Sequence, residues 1–301
     1  MNYAPVALFT YNRLAHVRQT VGALLRNPEA RESELFIFSD AAQNGAGTRA
    51  VSEVRHYIRQ ITGFASVQIT ERQENFGLAR SIIDGVSLVC RQHGRVIVVE
   101  DDIVTSPHFL KFMNDGLARY ERDERVISIH GYQYPVNSVL PETFFLRGAD
   151  CWGWATWKRG WDLFEPDGRL LLQELVARKL THRFDFDGAY PYTRMLRNQI
   201  RGKNDSWAIR WHASAFLKDK LTLYPGRSLV LNIGTDSSGM HCSTTGEFAG
   251  DIADSPIKVE PVAVEENAFA RQQIVKFHKG ARRLLPMRVL RKLAGMARRV
   301  K

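Results

Sequence analysis

The sequence predicts an α/β fold: a Rossmann-like, mostly parallel central sheet flanked by helices, with a second half interleaved with the first. Three observations predict it. Short apolar runs alternate with helix-period segments through the first hundred residues. Each run ends in a polar or charged cluster. Composition then changes after residue 105, with all six tryptophans falling between Trp152 and Trp211.

Pro5 to Phe9 reads as a buried strand, and Leu14, Val17, Val21, Leu24 and Leu25 then share one helical face. Leu35 to Phe38 is a second strand that ends at Ser39-Asp40 and a glycine-containing loop. A helix around Val51 to Ile61 leads to a third strand, Ser66 to Thr70. Asn75-Phe76-Gly77 opens another helix through about Gln92, and Arg95 to Val99 is the fourth strand. Strands separated by helices of this length imply parallel pairing with right-handed crossovers. In such sheets ligands bind beyond the carboxyl ends of the strands. Those ends are Tyr11-Asn12-Arg13, Asp40, Glu71 to Asn75, and Glu100-Asp101-Asp102. Polar strand ends are also what ordinary turns require.

Bulk properties narrow the class. The 301 residues are 44% hydrophobic and 25% charged, enough to bury a core and too apolar for wholesale disorder. Cys90, Cys151 and Cys242 are odd in number and widely spaced, which predicts a reducing compartment over a disulfide framework. No charged-then-apolar leader and no spanning apolar run is visible, so the expectation is a soluble, cytoplasmic protein. The net charge of +10 is concentrated at one end. Lys276 to Lys301 holds ten Lys and Arg and no acid, leaving 32 basic against 32 acidic side chains before it. A basic nucleic-acid-binding face, and with it a nucleic-acid partner, is therefore not expected.

The acidic triplet carries the most chemistry. Three carboxylates at the end of the buried strand Val96-Ile97-Val98-Val99 resist ionisation unless a cation neutralises them. Their hard oxygens suit Mn²⁺ or Mg²⁺ with substrate phosphates; the alternative is a solvated acidic turn. On extended backbone Glu100 and Asp102 share one face and Asp101 the other, separating a metal side from a ribose side. The tryptophans suit either core or a platform for sugar rings, with Trp152 and Trp154 facing the cleft and Trp161 and Trp211 in the core. Gly153, between two of them, allows close backbone approach. Arg197 to Lys203 reads as a basic loop, after which Asp205 is either a helix cap or a general base. Gly234 to His241 reads as a flexible segment that either folds over a diphosphate, with His241 at phosphate or metal, or leaves that histidine exposed.

Together these residues resemble the GT-A fold glycosyltransferases, over roughly residues 4 to 245. Within them the chain is similar to the inverting N-acetylglucosaminyltransferases and to bacterial family 2-type sugar transferases. Its most specific element is Val98-Val99-Glu100-Asp101-Asp102 followed by Pro107-His108-Phe109, which resembles that family's variant of the Asp-X-Asp metal motif. The resemblance implies that Asp102 is the direct protein ligand of Mn²⁺ and that Glu100 and Asp101 contact the donor. It implies that Arg13, after Tyr11-Asn12, faces the donor diphosphate, and that Asp40 and Asn75 meet the uracil base and ribose side. Cys151-Trp152-Gly153-Trp154 resembles the acceptor-side loop, and Asp205 ahead of Trp207 aligns with the catalytic base. Asp150 is the second choice for that role. His241 resembles the terminal histidine of other GT-A enzymes.

The expected function is then inverting transfer of a sugar from a nucleotide-sugar donor, with UDP as carrier, to a glycan or lipid-linked glycan. A nucleotidyltransferase and a catalytically silent glycan-binding protein are the alternatives. The former usually places a Gly-rich basic loop after its first strand, and Tyr11-Asn12-Arg13-Leu14 is not one. The expected division is 1–105 for the nucleotide sugar, 106–245 for acceptor and catalysis, and 246–301 as an extension. From Pro286, Val289, Leu290, Leu293, Met296, Ala297 and Val300 fall at helical spacing among basic residues. That pattern suits a helix lying on an anionic membrane, at the inner face; a solvated tail or a helix packed on a second subunit is the alternative.

Overall fold

The parallel half begins where the apolar runs place it. In the computed structural model, which describes residues 3–234, 248 and 250–280, β1 (Val6–Thr10), β2 (Glu34–Ser39), β3 (Ser66–Glu71) and β4 (Arg95–Glu100) pair in parallel, in the order β3-β2-β1-β4. The crossovers are α1 (Leu14–Leu24), α2 (Thr48–Ile58) and α3 (Gly77–His93). Side chains alternate across this sheet. Val6, Leu8, Ile37, Ile97 and Val99 meet Val17, Val21 and Val54 on one face. Ala7, Phe9, Phe38, Val96 and Val98 meet Ile82, Val86 and Val89 on the other. Burial on both faces is why β1, β2 and β4 read as apolar runs, whereas the edge strand β3 stays partly exposed.

Beyond β4 the sheet continues with changed directions. β5 (Ile103–Thr105), α4 (Phe109–Arg119), β6 (Val126–His130), β7 (Thr143–Arg147) and β8 (Trp154–Trp157) follow in the chain. Then come α5 (Lys158–Trp161), α6 (Gly168–Ala177), α7 (Thr181–Phe184), α8 (Tyr192–Ile200), α9 (Trp207–Leu217), β9 (Leu221–Pro225) and β10 (Val230–Asn232). β8 runs antiparallel between β4 and β6, completing an eight-stranded mixed sheet, β3-β2-β1-β4-β8-β6-β9-β7. One sheet thus runs through both expected halves.

Two readings need correction. Arg197 to Ile200 is the last turn of α8 and not loop, because Tyr192, Thr193 and Leu196 bury one face of that helix. Trp154 does not face the cleft. It is 0% exposed, stacked on Trp207 at 5.5 Å and tilted against Trp211 and Trp161 at 5.7 and 5.8 Å. Strand alternation sends Trp154 to the α3/α9 side of the sheet, where those rings supply its core.

Segment 250–280 lies over the second half. Asn267 N–H donates to Phe145 O at 2.8 Å, Arg271 makes a forked pair with Asp187 at 2.6 and 2.9 Å, and 268–280 is helical. The basic helix expected over 286–301 lies outside the described residues.

Candidate active site

Four strand ends converge on one edge, and the acidic triplet organises it. β4 leaves extended geometry after Glu100, so Asp101 and Asp102 sit in a turn. That turn removes the expected alternation: Asp101 and Asp102 reach the same guanidinium. Arg13 Nη2 donates to Asp102 Oδ2 at 2.9 Å and also to Asp101 Oδ1. Thr20 Oγ1, on α1, donates to the backbone carbonyl of Asp101 at 2.8 Å from a fully buried position. The threonine carries no motif signal, yet it pins the turn. Tyr11 and Asn12 are partly exposed between β1 and α1, and the Tyr11 hydroxyl accepts from Gln43 N–H at 3.1 Å.

Three carboxylates here face one arginine. Burial, then Asp102 and Asp101, push the Glu100 carboxyl up to about 8. Burial also lifts Asp101 to about 6, with Arg13 pulling against it. Burial opposes the Arg13 charge, but Asp101 and Asp102 outweigh it and hold the guanidinium protonated. The site is short of positive charge, and its donors are hard carboxylate oxygens. A divalent cation of the Mn²⁺ or Mg²⁺ type fits that donor set, in which Asp102 is partly exposed. Among the described residues no cluster of three or more His, Cys, Asp and Glu forms a complete metal cage. A single carboxylate ligand would leave the remaining positions to phosphate and water.

A short ribbon supplies an element that sequence reasoning missed. β10 pairs antiparallel with β5, setting Asn232 opposite Ile103, and Ile233 N–H donates to Asp102 O at 2.8 Å. Gly234 is thereby delivered onto the carboxylate. A Cβ there would collide with Asp102 Oδ2 and stand 3.1 Å from Arg13 Nη1. The conspicuous signal was the loop's glycines and His241; the strand Val230-Leu231-Asn232 that aims it was too short to notice. His241 itself lies outside the described residues.

Asp40 has a defined structural task. Its Oδ1 accepts from Phe76 and Ala41 N–H at 2.8 and 2.9 Å, and its Oδ2 from Gly77 N–H at 2.9 Å and Asn75 Nδ2 at 3.2 Å. It thus satisfies the open N-terminus of α3, whose own N-cap residue, Phe76, makes no side-chain cap. Asn75 also donates to Ala41 O at 2.6 Å, locking the loop after β2 to the start of α3.

In the second half, β7 ends beside the start of β9, yet β8 begins opposite His130, the last residue of β6. Residues 148–153 therefore cross back to the carboxyl edge. Gly153 has φ +60, and its carbonyl accepts from Gly131 N–H at 2.7 Å. Trp152 is partly exposed and packs edge-on against Tyr132 at 4.7 Å and Phe248 at 6.0 Å. Asp150 Oδ2 accepts both the Tyr134 and Tyr224 hydroxyls, at 2.9 and 3.0 Å. Asp205 precedes α9 with its side chain 69% exposed, 3.3 Å from Arg210. It is not the helix cap: Ser206 Oγ takes that role by accepting Ile209 N–H. Its carboxylate accepts from Arg210 Nη2 and is otherwise exposed.

No protein-family model and no curated protein matches the chain. Among solved structures it is similar to a mannosyltransferase from Pyrobaculum calidifontis in complex with GDP-mannose and Mn²⁺, at 16% identity and TM-score 0.32, over 44% of this chain and 37% of that one. It is similar to S. aureus TarS at 12% identity and TM-score 0.34, over 51% and 28%. Mouse xyloside xylosyltransferase 1, in its apo form, shares 14% identity at TM-score 0.35, over 58% and 76%. The chain thus spans little over a third of the mannosyltransferase and under a third of TarS. These overlaps are distant and partial; the functional reading rests on the chain's own residues.

Proposed function

We propose that the protein is a metal-dependent, inverting glycosyltransferase that moves a sugar from a nucleotide-sugar donor, with UDP as carrier, to a hydroxyl of a glycan or lipid-linked glycan. The observation that carries this reading is the convergence of Glu100, Asp101, Asp102, Arg13 and Gly234 at the carboxyl end of β4. A charge-deficient carboxylate cluster, a mobilisable arginine and a glycine that allows backbone approach together suit a diphosphate.

Asp102 would hold Mn²⁺ or Mg²⁺, which when bound supplies positive charge against the donor diphosphate and the leaving nucleotide. Arg13 turns from the carboxylates to the phosphates. Tyr11, Asn12, Asn75 and the backbone beside Asp40 frame the nucleoside, with Glu100 and Asp101 toward the ribose and sugar. Trp152 and Gly153 line the acceptor side. Asp205 takes the proton of the acceptor hydroxyl as its oxygen attacks the anomeric carbon and the bond to the diphosphate breaks. The products are an inverted glycoside, nucleoside diphosphate and one proton. The sequence assigns the segment after Gly234, with His241, to covering the donor and excluding water; it lies outside the described residues. In this reading 1–105 serves the donor, 106–245 the acceptor, and 246–301 is an extension whose basic end, 286–301, meets an anionic membrane on its cytoplasmic face. Among the described residues no helix is long and apolar enough to cross a membrane.

Calorimetric titration of UDP and UDP-sugars, with Mn²⁺ and with chelator, tests the reading. The expected result is metal-dependent nucleotide binding and slow donor hydrolysis. Glycan binding without any nucleotide binding would replace the transferase by a lectin-like protein. Pyrophosphate release from a nucleoside triphosphate would replace it by a nucleotidyltransferase.

A further inference from the structure

The first 275 residues are neutral in sum, yet one stretch of them is not. Between Gly168 and Lys203 there are eight Lys and Arg against three acids. All three acids are engaged: Glu174 with Arg178 at 2.9 Å, Asp187 with Arg271 at 2.6 Å, and Asp185 as acceptor of Thr193 N–H at 2.6 Å. Among the described residues, the side chains of Arg169, Lys179, Arg194, Arg197, Arg201 and Lys203 are exposed and form no ion pair. Arg194 and Arg197 on α8, and Arg201 just after it, stand at i, i+3 and i+7, so they share a side turned away from the buried Tyr192, Thr193 and Leu196.

This basic row adjoins exposed aliphatic surface. Leu170 is 54% and Val176 53% exposed on α6, and Val176 lines a shallow groove with Arg169, Leu172, Gln173, Ala177 and Ile200. Ile200 joins it because α6 begins against the end of α8. A Cβ on Gly168 would collide with Gln199 Oε1 and sit 3.2 Å from Ile200 Cγ1. Arg201 and Lys203 therefore emerge beside the aliphatic groove.

We infer that the α6–α8 face docks on an anionic membrane surface, Leu170 and Val176 entering the headgroup–acyl boundary while Arg169, Arg197, Arg201 and Lys203 meet lipid headgroups. Arg169, Arg197, Arg201 and Lys203 facing their own copies would repel, which argues against a symmetric self-contact. Exposed Leu and Val add nothing to binding a free polyanion, whereas an apolar stripe flanked by Arg and Lys is what an interfacial surface needs. The face leads through Asn204 directly to Asp205, so docking would set that carboxylate close to the bilayer. The inference stands apart from the glycosyl-transfer reading and from the basic segment 286–301.

The test is co-sedimentation of the full-length protein with vesicles of phosphatidylcholine alone or with one-third phosphatidylglycerol, at near-physiological salt. Each Lys or Arg near such a surface is worth about fivefold in binding. Arg197→Ser/Arg201→Ser/Lys203→Ser should weaken binding to the anionic vesicles at least tenfold. A control removing equal charge elsewhere, Arg31→Ser/Arg49→Ser/Arg91→Ser, should change it under threefold. Leu170→Asp/Val176→Asp should also weaken it severalfold. Unchanged melting temperatures would establish that all variants are folded. Equal losses in the face and control triples would reduce the effect to net charge and overturn the inference. So would insensitivity to the Leu170/Val176 pair, which would make the face a polyanion site. Binding unaffected by any variant would assign membrane contact to the segment beyond residue 280 and overturn it equally.

Discussion

Arg13 Nη2 lies 2.9 Å from Asp102 Oδ2, joining the turn after the first strand to the end of the fourth. The pair holds a partly exposed carboxylate of the triplet against the cation that the donor diphosphate would claim. Arg13→Met should therefore do two opposed things. It frees Asp102, so Mn²⁺ binding without nucleotide tightens, while UDP binding at saturating Mn²⁺ weakens about tenfold or more for loss of a charge-assisted contact. Calorimetry of each ligand separates the effects; weaker Mn²⁺ binding would mean that Arg13 supports the metal ligand.

Asp102→Asn keeps the side chain's shape and removes its charge. Transfer should fall by about three orders of magnitude or more, with Mn²⁺-dependent UDP binding lost. Near-normal turnover at saturating Mn²⁺ would place the metal elsewhere.

Gly234→Ala tests the ribbon. A methyl group there has Asp102 Oδ2 in its way and Asp102 Cγ at 2.9 Å. Either the carboxylate or the ribbon must shift, so donor KM should rise and kcat fall with little change in melting temperature. An active Gly234→Ala enzyme with unaltered KM would show that the ribbon does not set the carboxylate.

The base is decided by a pair of variants. Asp205→Asn should retain donor binding and lose about 10²- to 10⁴-fold in transfer rate. Asp150, tied on one oxygen by two tyrosine hydroxyls, is better placed to hold the acceptor loop. Asp150→Asn should raise acceptor KM more than it lowers kcat. A fully active Asp205→Asn beside an inactive Asp150→Asn would transfer the role.

Stability should fall on the acid side through His130. The ring is 1% exposed, neither nitrogen has a hydrogen-bond partner among the described residues, and burial pulls its pKa down to about 4 against the attraction of Asp150. A depressed folded pKa contributes stability that is complete above the unfolded value, about 6.5, and is lost as pH falls toward about 4. The loss attributable to this ring is about 3 kcal/mol. Urea unfolding of His130→Phe should show a shallower decline than the wild type over that window; identical slopes would assign the acid sensitivity to other groups.

The parallel half was legible because its signals are local. Apolar runs buried on both faces announce β1, β2 and β4, and the acidic residues at the end of Arg95–Glu100 mark the candidate edge without knowledge of a partner strand. Arg13, Asp40, Asn75 and the triplet fall on that edge by the period of the βα units alone. Their roles were not local. That Asp40 caps α3 depends on where α3 lands, which no spacing within Ser39-Asp40 records. Trp154 and Trp152 differ by two residues, which on a continued strand would place them on the same face. The left-handed turn at Gly153 interrupts that alternation, leaving Trp152 partly exposed and Trp154 in the core. The three-residue pairing of β10 with β5 carries too little sequence to be read alone, yet it delivers Gly234 to Asp102. The sequence by itself determined which residue types stand at the strand ends. Tertiary structure alone decided which of them meet, because contacts across the sheet edge depend on strand order and register, and neither is written in any one segment.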